Sequence, residues 1–150
     1  MRADTLRAFF EDRVSAAALD AELRGAWRQS SSDSFQLLMS DLSEDYSVTP
    51  EHLVKLCEAV LAMQLDPEAL RAVGFGLIAS GHFAWDGDTP DGERVASTLN
   101  DWASPEVNFR LDLGTVAKFR LRLLTGEDSF TRADLSGLRK GRRDDWKCKP

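Results

Sequence analysis

The densest group of chemically versatile side chains in this 150-residue chain is "HFAWDGDTPDGE", residues 82–93. It combines His82, Phe83, Trp85, Asp86, Asp88, Asp91 and Glu93 with two glycines and a proline. Four chemistries fit those residue types: a calcium loop, an acid–base patch, an acidic docking surface, or the start of a helix. Spacing decides the first. An EF-hand needs acidic ligands at alternate positions and a bidentate Glu at the twelfth. Here the third aspartate arrives one residue late, and with Asp86 as the first ligand the twelfth position is Ser97. A transition-metal centre fares no better. Neither His52 nor His82 belongs to an HExxH or paired Cys/His pattern, and Cys57 lies off the helical face of His52. The sequence therefore predicts no metal and no other cofactor.

Catalysis finds little to work with. A nucleophile must stand beside a base that a third group orients. Ser80 and His82 are close in "ASGH", but there is no G-x-S-x-G elbow, and His82 reads as a last-turn residue facing helix carbonyls. Carboxylates do acid–base work only when one is desolvated, and the acids of 86–93 are glycine-flanked and expected to be wet. Gly74, Gly76 and Gly81 miss the G-x-G-x-x-G spacing and lie in a helical pattern rather than after a strand. Two readings of 82–93 survive. Thr89, Pro90, Asp91 and Glu93 are what a helix N-terminus asks for. Of Phe83 and Trp85, one is expected to plug the core and the other to stay partly exposed. An exposed Trp85 ringed by Asp86, Asp88, Asp91 and Glu93 would anchor a basic protein partner.

The elements that must position this corner are helices. Leu6, Phe9, Phe10 and Val14 recur at helical spacing, and Ser15 caps a second helix carrying Leu19, Leu23 and Trp27. After "SSSDS" a third helix is predicted, with Phe35, Leu38, Met39 and Leu42 on one face. Thr49-Pro50-Glu51 opens a fourth with the stripe Leu53, Leu56, Cys57, Val60, Leu61; Asp66-Pro67 opens another with Leu70, Val73, Leu77, Ile78. Gly74 and Gly76 in that helix imply a close helix neighbour or a break. Thr89-Pro90 starts the helix of Val95, Leu99 and Trp102. Ser104-Pro105 makes a single turn, "NFRL" is extended, and Asp112 caps a last helix with Val116, Phe119, Leu123 and Leu124 that stops at Gly126. Trp27 and Trp102 sit on apolar faces and are assigned to the core. No strand-like alternation exceeds four residues. The fold class is all-α, a single-domain irregular bundle of six or seven helices with a short irregular basic tail. Residues 1–126 form an acidic helical domain and 127–150 a partly ordered tail with a short turn near 131–138.

Composition sets the context. The hydrophobic share of 43% and charged share of 29% are those of an ordinary globular protein. The net charge of −6 conceals a split: residues 1–131 carry 12 basic and 22 acidic groups, the remainder seven and three. An acidic body repels phosphates, which argues against nucleic acid and for a basic partner. The tail "RKGRRDDWKCK" is interrupted by Asp144 and Asp145 and reads as a solvated terminus. Cys57 and Cys148 read as free thiols of a reducing cytosol. No apolar run approaches the roughly 20 residues of a membrane span, and the N-terminus lacks a signal-peptide core, so a cytoplasmic location without membrane contact is expected.

The segments "HFAWDGD", "LNDWASPEVNF" and "LLTGE" give residues 50–127 a general character similar to bacterial α-helical proteins of the colicin-type immunity kind. The resemblance implies inhibition of a cognate toxin, with an acidic face occluding the basic site of a nuclease. It would assign that face to Asp86, Asp88, Asp91 and Glu93, with Trp85 as anchor. The basic tail departs from this pattern. The leading reading is a non-enzymatic protein-binding module, possessing an immunity-like acidic face. The alternatives are a small enzyme or ligand-binding protein with a pocket near His82, and a homo-oligomeric structural protein. An apolar cavity containing His82 would favour the first alternative, a broad exposed apolar helix face the second.

Overall fold

The computed structural model describes residues 3–31, 34–37 and 44–135, with side chains outside 24–43. It is an all-α irregular bundle of six helices among the described residues: α1 (Ala3–Phe10), α2 (Ala16–Ala26), α3 (Pro50–Leu61), α4 (Ala69–Ala79), α5 (Pro90–Ala103) and α6 (Leu113–Thr125). Two short strand pairs accompany them. β1 (Trp27–Ser31) and β2 (Ser34–Leu37) pair antiparallel, and β3 (Tyr46–Ser47) and β4 (Phe83–Ala84) pair parallel. The main helix–helix interfaces are α3 on α6 and α4 on α5.

Helix ends follow the chemistry of their caps. Ser15 Oγ accepts from Ala18 N at 3.2 Å. Asp112 Oδ1 accepts from Thr115 N at 2.9 Å while the Thr115 hydroxyl accepts from Asp112 N at 3.0 Å, a reciprocal box that starts α6. Gly126 ends α6 at φ +82°, the left-handed geometry that glycine adopts without a Cβ penalty. The entry to α4 differs from expectation: Asp66-Pro67 makes a turn, with Asp66 Oδ1 accepting from Glu68 N at 2.9 Å, and the helix begins two residues on at Ala69.

The larger departure is at β1 and β2. The helix expected from Phe35 onward is, over Ser34–Leu37, a strand paired to Trp27–Ser31, so α2 stops at Ala26. Phe35 and Leu37 alternate with Ser34 and Gln36, a period of two that four residues are too few to separate from helical spacing. The expected face residues Leu38, Met39 and Leu42, the Trp27 side chain, Cys148 and the tail from 136 lie outside the described residues.

The core is one cluster that includes Leu6, Leu19, Leu53, Leu56, Val60, Leu70, Val73, Leu77, Leu99, Trp102, Phe119 and Leu123. Two residues assigned to it lie outside. Ile78 is 43% exposed and Leu124 50%. The buried stripe of α4 runs through Leu70, Val73, Gly74 and Leu77, and that of α6 through Val116, Phe119 and Leu123, which leaves both on the stripe's edge. Gly74 meets the expectation of a close neighbour: a Cβ there would lie 2.9 Å from Trp102 Cβ and 3.0 Å from Ala103 N and Leu99 O. Cys57 is a buried free thiol, and burial pushes its pKa up. No helix among the described residues is long and apolar enough to cross a membrane.

Beyond Gly126 the chain returns to the bundle. Phe130 stacks on Phe109 at 4.1 Å and lies 4.7 Å from Phe119. A 3₁₀ turn at Arg132–Asp134 follows, within the predicted turn region. Asp134 is held by Lys118 Nζ at 2.6 Å and Thr131 N at 2.8 Å; these outweigh burial and lower its pKa. Leu135 makes an isolated antiparallel bridge to Phe109, the one bridged residue of the expected extended stretch 108–111 among the described contacts.

Candidate protein-binding groove

The corner 82–93 is built by backbone needs as much as by side chains. Phe83 is buried, and β4 brings it beside Tyr46 in an edge-on ring contact at 6.0 Å. Trp85 is the half-buried member of the pair, packed against the core from its margin. The chain then turns on Asp86, whose Oδ1 accepts from Asp88 N at 3.0 Å, while its carbonyl accepts from Thr89 N at 3.1 Å and the Thr89 hydroxyl at 2.8 Å. Thr89 Oγ1 in turn accepts from Gly92 N at 3.0 Å and starts α5. The Asp86 carbonyl sits so close to Gly92 that a Cβ there would fall 1.6 Å from its oxygen.

This turn faces the N-terminus of α3 across an open groove of about 630 Å³. One wall is 47–51, the other 84–86 with Thr89, Asp91 and Gly92. Thr49-Pro50-Glu51 and Thr89-Pro90-Asp91 thus place two helix N-termini on one concavity, each with an acid in its first turn. The positive ends of the two helix dipoles offset those carboxylates and make the acids favourable there.

The candidate residues divide accordingly. Trp85, Asp86 and Asp91 line the groove together, joined by Glu51, which the sequence reading placed in a helix start and not in a site. The shared Thr-Pro-acid signature was the signal for it. Asp88 is exposed on the turn outside the groove lining. Glu93 is exposed and lines a second cleft of about 390 Å³ between α5 and α6, with Arg94, Asp101 and Arg122. There Arg122 bridges Asp101 at 2.8 Å and Asp128 at 3.5 Å and lies over the Phe130 ring. Burial raises the Asp101 carboxyl's pKa against the pull of Arg122. His82 stands outside the groove lining. Its Nδ1 meets Asp45 Oδ1 at 3.0 Å instead of the carbonyls ending α4, because β4 carries the ring toward the segment before β3.

The other histidine is better placed than its sequence context suggested. His52, at the third position of α3, accepts from Thr49 N through Nδ1 at 3.0 Å and stacks on Phe10 at 4.7 Å. Burial lowers its pKa. Among the described residues no group of three or more His, Cys, Asp and Glu side chains converges in a way that could hold a metal ion. No family model, curated protein or solved structure matches the chain.

Proposed function

We propose that this protein is a non-enzymatic binding module that captures a basic protein partner in the groove between α3 and α5, as an immunity-like inhibitor captures a toxin. The observation that carries the reading is the groove's lining: Trp85, half buried at its margin, beside the carboxylates of Glu51, Asp86 and Asp91. A tryptophan held by the core offers a large apolar face with little entropy left to lose, which suits an interface anchor. The carboxylates around it attract cationic side chains, and Arg or Lys can lie over the indole while pairing with them. The acidic body supplies long-range steering toward the same partner. Asp88 and Glu93 flank the groove and contribute to the field without lining it.

The test begins with a pull-down from native cytosol at low and at high salt, which isolates partners held by charge. The triple substitution Asp86→Asn, Asp88→Asn, Asp91→Asn should then slow association at low salt by about tenfold or more and flatten its salt dependence, with circular dichroism unchanged. Trp85→Ala should act mainly on dissociation. An unchanged low-salt on-rate in the triple variant would sink the assignment.

A further inference from the structure

The chain has two histidines, and both rings bond to the same short segment, 45–49. That segment forms one wall of the groove as it enters α3. Its outer side is fixed by the strand pair, with Tyr46 N donating to His82 O and Val48 N to Ala84 O, both at 2.8 Å. Its inner side is fixed by His52. The third position of a capping box is ordinarily Glu or Gln, whose side chain accepts from the N-cap amide. Here an imidazole does that work, accepting from Thr49 N at 3.0 Å.

The two histidines differ in what a proton does to them. An Nδ1 that accepts an N–H must carry a lone pair, so the His52 ring is neutral with its hydrogen on Nε2, facing the Tyr46 hydroxyl at 3.4 Å. A proton on Nδ1 would set a donor against the Thr49 donor and abolish the bond. The His82 Nδ1 faces a carboxylate, and an N–H there serves in both the neutral and the charged ring. Only one of the two contacts is therefore broken by acid.

Several groups among the described residues surround His52. Phe10 of α1 stacks on the ring at 4.7 Å and Tyr46 of β3 at 5.5 Å. Glu51 and Lys55 lie on its own helix and Glu11 follows α1; the two glutamates favour the charged ring and Lys55 opposes it. Arg7 of α1 lies over the far ring, Tyr46, at 5.2 Å, and Asp45 is engaged by His82.

We propose that His52 is a proton-operated latch: uptake of a proton at Nδ1 releases the 45–49 segment from the start of α3 and reshapes that wall of the groove. Burial lowers the ring's folded-state pKa below its ordinary 6.5. The latch is thus closed at neutral pH. Its contribution to stability is complete above the unfolded value and is lost as pH falls through the folded one.

The test needs only the whole chain and no partner, so its failure would leave the proposed function standing. Nitrogen-15 NMR from about pH 8 to about pH 5 spans the range in which imidazole titrates. The Thr49 amide resonance should move with the same midpoint as the His52 ring protons, below 6.5. Exchange protection of the 45–49 amides, corrected for intrinsic rates, should fall in step while Leu56 and Val60 keep theirs. His52→Gln, which retains an acceptor but no titration, should remove the response, and His82→Gln should preserve it. A Thr49 resonance that stays flat through the His52 titration overturns the proposal, as does a His52→Gln chain with the wild-type response. If the glutamine variant does not fold, the wild-type titration decides alone.

Discussion

At the scale of single residues, the corner 82–93 shows how function-like composition can be mostly structural. Asp86 spends its carboxylate partly on Asp88 N and its carbonyl on Thr89, and Thr89 spends its hydroxyl on Gly92 N. The helix-start role of Thr89 and Pro90 was legible because capping is a local matter of adjacent residues. The role of Gly92 was not, since it depends on where the Asp86 carbonyl lands after the turn. That role makes a sharp prediction. Gly92→Ala would place Cβ 1.6 Å from a backbone oxygen, which has no rotamer by which to yield. The turn or the first turn of α5 must move, at a cost of about 2–3 kcal/mol, in the range of overpacked cores. Gly87→Ala, five residues earlier in the turn before α5, meets nothing within 4 Å and should change stability by less than about 0.5 kcal/mol. Urea unfolding of the two variants checks the contrast. Equal stability in both would show that the corner is far looser than this geometry.

At the scale of elements, the helices with strong caps were readable and the strands were not. Thr49, Thr89 and Asp112 each precede a helix that starts where they say, and Gly126 ends the last one. β3 and β4 are two residues each and parallel, so they carry no period at all; their pairing is a tertiary event that buries Phe83 beside Tyr46. The capping role of His52 is tertiary in the same way: histidine at the third helical position has no signature without the ring's orientation. Between α4 and α5 the sequence did carry information, in Gly74. Two effects compete in Gly74→Ala. Alanine gains about 1 kcal/mol of helix propensity, while its Cβ meets Trp102 Cβ at 2.9 Å and two backbone atoms at 3.0 Å. Backbone atoms at that distance force the helices apart, and separating them costs the packing of the fully buried Trp102 and Leu99. The clash should win by about 1–2 kcal/mol net, seen as a lower urea midpoint. A stabilised variant would mean that α4 and α5 slide past each other freely.

At the scale of the whole molecule, charge is distributed unevenly along the chain. The buried cluster runs from Ala3 to Leu123, and Phe109 and Phe130 close over it. The Leu135 bridge and the Asp134 contacts complete the described packing. Residues 136–150 add six basic and two acidic groups, so removing them changes the net charge from −6 to −10. Deleting them therefore changes the molecule's field by four charges. Toward the proposed basic partner, the chain 1–135 should associate faster at low salt, because the deletion removes a net four positive charges that repel it. The gain should vanish as salt approaches about 0.5 M, where the Debye length falls to a few ångströms. Stopped-flow association across a salt series measures the effect. A slower on-rate in the shortened chain would reverse the sign of the argument and place the basic tail among the binding groups.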